Sequence, residues 1–223
     1  MVVYEIPLTK RRKSFFSSFS VNTWLIILNV FFYFLFSILL ALKFIPIEYL
    51  ALNPRIIFEN FYIWTFLTSM FMHAGFFHLF VNVLSLFFVG SLLEKILGPK
   101  RFLFFYLFAG LFAGLLFVLS PALFPGDWNS FAVGASGALF GLIGVLIFLT
   151  PNLPVYMMFI PIPIKIKYAA PGMLVLLWLV SILGNVPIGN VAHLGGLLAG
   201  IFYGLFLRKK FPNKVKLISR RFS

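Results

Sequence analysis

GASGALFGLIGVLIFLTP (134–151) is apolar from Ala135 up to Pro151 except for Ser136 and Thr150, and it is too short for the role its composition suggests. About 16 helical residues at 1.5 Å each reach ~24 Å, whereas a bilayer's hydrocarbon core is ~30 Å thick. A span of this length is expected to end beneath the membrane surface, in a protein-lined cavity that satisfies its backbone groups. The serine stands at its first turn, flanked by Gly134 and Gly137.

The rest of the chain sets this stretch in a membrane. Of 223 residues, 62% are hydrophobic and 10% charged, and mean hydropathy is +1.06. A soluble domain is nearer half apolar and a quarter charged. Apolar runs place a first span at Trp24–Leu42, a second at Gly75–Ile96 and a third at Phe102–Leu119. After the short fourth come a fifth at Tyr168–Leu183 and a sixth at His193–Leu207. Between the first two, Phe61–Met72 has the length of an interfacial or re-entrant segment. PIPIKIK (161–167) reads as extended. The fold class expected is an all-α membrane protein, a bundle of six transmembrane helices with a short, partly submerged fourth. A basic cytosolic segment (1–20) precedes the six-span domain (21–208), and a basic cytosolic tail (209–223) follows it.

The net charge of +13 does not point to nucleic acid. With six spans, one side collects 16 of the 18 basic residues: Lys10, Arg11, Arg12, Lys13, Lys95, Lys100, Arg101, Lys165, Lys167 and those after Leu207. Lys43 and Arg55 remain on the other, beside Glu48, Glu59 and Asp127. Such segregation sets orientation, with both termini in the cytosol. The N-terminus lacks the short apolar core and small-residue cleavage site of a signal peptide, so the first run is expected to be retained. The sequence has no cysteine, which excludes disulfides, thiol chemistry and cysteine-based metal sites.

In this topology spans two, four and six descend from the outer face, and their first turns share a depth. There lie His73, His78 and Asn82; Gly134, Ala135, Ser136 and Gly137; and Ala192, His193, Gly195 and Gly196. All three histidines of the chain are among them. Polar and ionisable residues inside a membrane are functional candidates by default. His78 and Asn82, at i and i+4, share a helix face. A hydroxyl nucleophile, an imidazole base and hydrogen-bond donors are the parts that acyl transfer requires. Asp127, in the outer loop nine residues before Ser136, is a weak candidate for orienting the base, and a serine–histidine dyad is the better reading. Glu94 lies ~18 Å beyond Asn82 along the second span and is too far away. Each run alone also suits packing: Gly137–Gly141 and Gly196–Gly200 are small-xxx-small pairs, His73 could be structural, and Asn82 could join helices. Coincidence at one depth favours chemistry.

HAGFFHLFVN (73–82), GASGALFG (134–141) and AHLGGLLAG (192–200), in this order on six spans, resemble the rhomboid intramembrane serine proteases over roughly residues 20–208. The resemblance implies Ser136 as nucleophile and His193 as general base and acid. It implies an oxyanion hole of His78, Asn82 and the Ser136 backbone N–H. His73, Gly134, Gly137, Phe140, Gly196 and Gly200 take supporting places, and no metal or cofactor is implied. The implied partners are the lipid bilayer and single-span membrane-protein substrates, cut near the outer end of their helix in a pocket opening to the outer face. Substrate access would run between spans two and five beneath a 184–192 cap, which Gly184, Pro187 and Gly189 would let move. Two positions depart from the family pattern: Trp64-Thr65 stands where Trp-Arg is frequent, and Phe140 where tyrosine is. The alternatives are a catalytically inactive rhomboid-like protein that binds membrane clients, and a small transporter. Inactive relatives usually lack the serine or the histidine, and the chain shows no repeated halves of the transporter kind.

Overall fold

The computed structural model describes residues 19–156, 161–184 and 188–222. The basic residues Lys10 to Lys13 and Pro187 lie outside them. Helix α1 (Val21–Ala41) begins earlier than hydropathy suggests, because Ser20 caps it by accepting from the Thr23 N–H. Short helices α2 (Pro54–Asn60) and α3 (Thr65–Thr68) follow. Then come α4 (Phe76–Leu97), α5 (Pro99–Leu119), α6 (Ser136–Leu149), α7 (Ile166–Gly184), α8 (Asn190–Lys210) and α9 (Pro212–Arg221). Helices α1, α4, α5, α7 and α8 are long and apolar enough to cross a bilayer, and α6 is a shorter apolar helix of 14 residues. The chain is a mostly helical, multi-pass membrane protein.

Three expectations change in detail. Phe61–Met72, expected as an interfacial or re-entrant segment, is a series of turns around the four-residue α3. Residues 163–165 of the extended stretch pair antiparallel with Pro154–Tyr156, a small β1–β2 hairpin in a mostly helical structure. The sixth span neither starts at His193 nor stops at Leu207: α8 covers Asn190–Lys210, and the basic tail forms α9. His193 therefore sits one turn inside its helix.

α6 is the central element. Gly137 through Gly141 are all buried, as are Leu142, Gly144, Val145, Leu146 and Leu149. It packs most closely on α8, then on α5, while α7 touches it through Phe140, Ile143 and Ile147 only at the rim. α1 and α7 are peripheral, with most of their apolar surface left uncovered by the rest of the protein.

The acidic residue of the second span has a structural task. Glu94, 8% exposed, accepts from the Val21 and Asn22 N–H groups through its two carboxylate oxygens at 2.9 Å each. These amides open α1 and have no intrahelical acceptor, and a carboxylate there also meets the positive end of the helix dipole. Asn22 in turn donates to the Leu86 carbonyl at 2.8 Å and to Ser91 Oγ at 3.1 Å. Leu86–Gly90 is a π-helical segment, whose wider turn frees a carbonyl for such a partner. Glu94→Ala leaves one buried and one half-buried amide without an acceptor and should destabilise the protein by about 1–3 kcal/mol. Denaturant unfolding in detergent micelles, with Glu94→Gln as the milder comparison, measures it.

Candidate active site

Ser136 is the first residue of α6, whose N-cap, Ala135, offers no side-chain bond. The first amides of such a helix, that of Ser136 included, have no intrahelical acceptor and can bind an anion. Ser136 Oγ lies 2.8 Å from His193 Nε2. The Phe140 ring stacks on the imidazole, with centroids 4.7 Å apart and planes 25° apart. Ser136 and Phe140, one helical turn apart, therefore hold the ring from two sides. His193 is buried, and its Nδ1 meets no hydrogen-bond partner among the described residues. Asp127 is engaged elsewhere, accepting from Ser120 Oγ at 2.5 Å.

Close approach of α6 and α8 makes the Ser136–His193 distance possible. A Cβ at Gly196 would overlap the Gly137 carbonyl oxygen, and one at Gly200 the Gly141 carbonyl oxygen. At Gly144 a Cβ would come within 2.6 Å of the Leu197 carbonyl oxygen. On the opposite side a Cβ at Gly137 would stand 2.7 Å from Ala113 Cβ of α5. The sequence reading missed this α5 surface, AGLFAG (109–114), although its Ala109–Ala113 and Gly110–Gly114 spacings are legible as small-residue pairs.

The loop before the serine is fixed by backbone bonds. Gly134 N donates to the Ser69 carbonyl at 2.8 Å, and Leu52 pairs with Ala132 in an isolated bridge. Ser69, Leu52 and Ala132 carry no motif, and only folding brings them here. Gly134 has φ +110°, and a Cβ on it would lie 2.7 Å from His78 Cε1 and 2.9 Å from Nε2. Glycine is required here twice, for the conformation and for the space the His78 ring occupies.

His78 Nδ1 accepts from the Ala74 N–H at 3.4 Å, which places the ring's proton on Nε2, the nitrogen beside Gly134. Asn82, 3% exposed, donates from Nδ2 to the His78 carbonyl at 2.8 Å, leaving its second amide hydrogen free of that bond. His73 sits edge-on to His78, with centroids 5.2 Å apart. Burial first and His78 second push its pKa down to about 4, so the ring is neutral and donates from Nδ1 to the Phe71 carbonyl at 3.3 Å. The structure thus joins Ser136 to His193 and Phe140, and Gly134 to His78; Asn82 and His73 are joined to this group through His78. Trp64, where the family pattern frequently continues with arginine, is anchored without one: its Nε1 donates to the Tyr49 carbonyl at 3.1 Å and its ring stacks on Tyr62 at 4.7 Å.

A family model described as Rhomboid domain matches residues 60–210. The chain is 35% identical to RHOMBOID-like protein 1 of Arabidopsis thaliana over 69% of its own length and 37% of that protein's. It is 33% identical to Rhomboid protease GluP of Bacillus subtilis, over 62% of this chain and 25% of that one. To Inactive RHOMBOID-like protein 8 of Arabidopsis thaliana it is also 33% identical, over 67% and 39%. The matched segment thus spans well under half of these relatives' own lengths.

The glycine interface yields a direct test. Gly196→Val should be destabilised by about 1–3 kcal/mol through overpacking, with thermal unfolding in detergent as the measurement. Ser136→Ala, which removes only a half-buried hydroxyl, should melt close to wild type. A Gly196→Val protein as stable as wild type would mean that α6 and α8 can separate freely.

Proposed function

The chain belongs to the rhomboid family, and on that premise we propose that it is an active intramembrane serine endopeptidase working through a Ser136–His193 dyad. The observation that carries the reading is the 2.8 Å hydrogen bond between Ser136 Oγ and His193 Nε2. Ser136 Oγ attacks the scissile carbonyl carbon while His193 Nε2 takes the hydroxyl proton. The tetrahedral oxyanion accepts from the Ser136 N–H, from His78 Nε2–H and from the free hydrogen of Asn82 Nδ2. His193 then gives its proton to the leaving amine, and the acyl-enzyme ester remains. Water, deprotonated by the same imidazole, hydrolyses the ester and restores the serine. With no partner at Nδ1 among the described residues, Phe140 stacking does the orienting work that a carboxylate does in a triad.

The substrates are membrane proteins crossing once, cleaved near the outer end of their helix, which must unwind locally to present an extended bond. Access lies between α4 and α7. The six apolar helices all serve as spans, with both termini cytosolic and the serine below the outer surface. The basic residues Lys100, Arg101 and Arg208 to Lys210, at the facing ends of α5 and α8, support this orientation. The second reading is a client-binding protein without activity. Similarity alone leaves it standing, since one relative at 33% identity is named inactive; an intact Ser136–His193 pair argues against it.

A fluorophosphonate probe should label the wild-type protein in detergent, and both Ser136→Ala and His193→Ala should abolish the label. A folded wild type that is never labelled would put the client-binding reading first. Asn82→Ala should keep the label site but slow peptide cleavage by ~100–1,000-fold, the usual cost of one oxyanion donor. Because the sequence has no cysteine, orientation can be read from single replacements. Lys43→Cys should react with a membrane-impermeant maleimide on intact cells and Lys209→Cys only after lysis; the reverse pattern would invert the topology.

A further inference from the structure

Away from the serine, a cavity of about 620 Å³ opens on the outward side of α5 and α8. Its walls are Phe104, Phe105, Phe108, Phe112 and Phe202, with Ala199 and Tyr203 on the α8 side. Phe104, Phe108 and Phe112 follow one another at i, i+4 and i+8 along a single face of α5. At one end of this aromatic channel stand Lys100 and Arg101, both exposed. From Lys100 to Phe112 the helix rises ~18 Å, somewhat more than half of a ~30 Å hydrocarbon core.

Among the described residues neither cation has an acidic partner. Among the described residues the ion pair present is Arg55–Glu59, and the carboxylate nearest in sequence, Glu94, is turned to the α1 amides. A cleft that is apolar along its length and doubly cationic at one end complements an amphiphile with an anionic head. A partner's transmembrane helix suits it less well, because helices associate in membranes through small residues that let backbones approach. Here bulky rings line a void, with one alanine among them.

The geometry points to a binding site for an anionic glycerophospholipid, with one acyl chain lying along Phe104, Phe108, Phe112 and Phe202 and the phosphate held by Lys100 and Arg101. Basic pockets between membrane helices on the cytoplasmic side are suited to such headgroups. The site is separate from Ser136 and does not depend on the protease reading.

The experiment is native mass spectrometry of the full chain released from micelles containing equal amounts of phosphatidylglycerol and phosphatidylcholine with identical chains. Wild type should retain phosphatidylglycerol over phosphatidylcholine by on the order of tenfold. Lys100→Gln/Arg101→Gln should bring that ratio close to one. Lys214→Gln/Lys216→Gln, which removes the same charge from α9, should leave it unchanged. All these side chains are exposed, so the variants should fold, and a melting curve of each confirms it. No headgroup preference in wild type, or equal loss in the two double variants, would overturn the site; the latter would mean diffuse attraction to the basic surface. Retention of a second protein in place of lipid would likewise overturn it.

Discussion

The approach of α6 to α8 is the constraint on which the rest of the molecule depends. The two backbones run so close that a methyl group on Gly144, Gly196 or Gly200 would overlap the facing helix, while one on Gly137 or Gly141 would press on Ala113 or Ala109 of α5. Within a membrane, helix association draws little from apolar burial and much from such backbone proximity. The interface fixes the rotation and the axial position of both helices together. Ser136 lies one residue before Gly137, and His193 three before Gly196, so the glycines that lock the helices also set the separation of the two side chains. The 2.8 Å bond is in this sense a product of the packing.

The surroundings follow from the same placement. α6 can be short because it is covered on most sides by α4, α5, α7 and α8, and its buried start can leave backbone amides available to a ligand. The peripheral helices do different work. Glu94 and Asn22 seat α1 against the π-helical segment of α4, and α4 carries His78 and Asn82. The aromatic cluster of Tyr49, Tyr62 and Trp64 secures the loop between α1 and α4, so the absence of an arginine at position 65 does not leave that loop untied.

Much of this was legible in the sequence. Hydropathy located six apolar helices to within a few residues, because in a bilayer the apolar run and the helix are nearly the same object. Depth alone put all three histidines at the level of Ser136; the choice of His193 among them came from the resemblance, and their separation is a matter of the folded geometry. The boundaries that slipped are those set by polar chemistry, such as the Ser20 cap, Pro99 after Gly98 (φ +80°), and Asn190. Contacts between segments far apart in the chain stayed hidden. Ser69 holding Gly134, Leu52 bridging Ala132 and Glu94 capping α1 involve residues with no local pattern, and only the folded chain puts them in register. Glu94 could be excluded from the site by distance, but its own role could not be foreseen. Phe140 was identified by resemblance, while its stacking on His193 is a matter of geometry.

The central claim is that this glycine-locked pair hydrolyses a peptide bond within a membrane. It is tested most directly by reconstituting the purified chain in liposomes with a single-span substrate and mapping the products by mass spectrometry. The account predicts one principal cut near the outer end of the substrate helix, present with wild type and absent with Ser136→Ala at equal folded protein. Intact substrate with a well-folded wild type, or the same cut from Ser136→Ala, would contradict it.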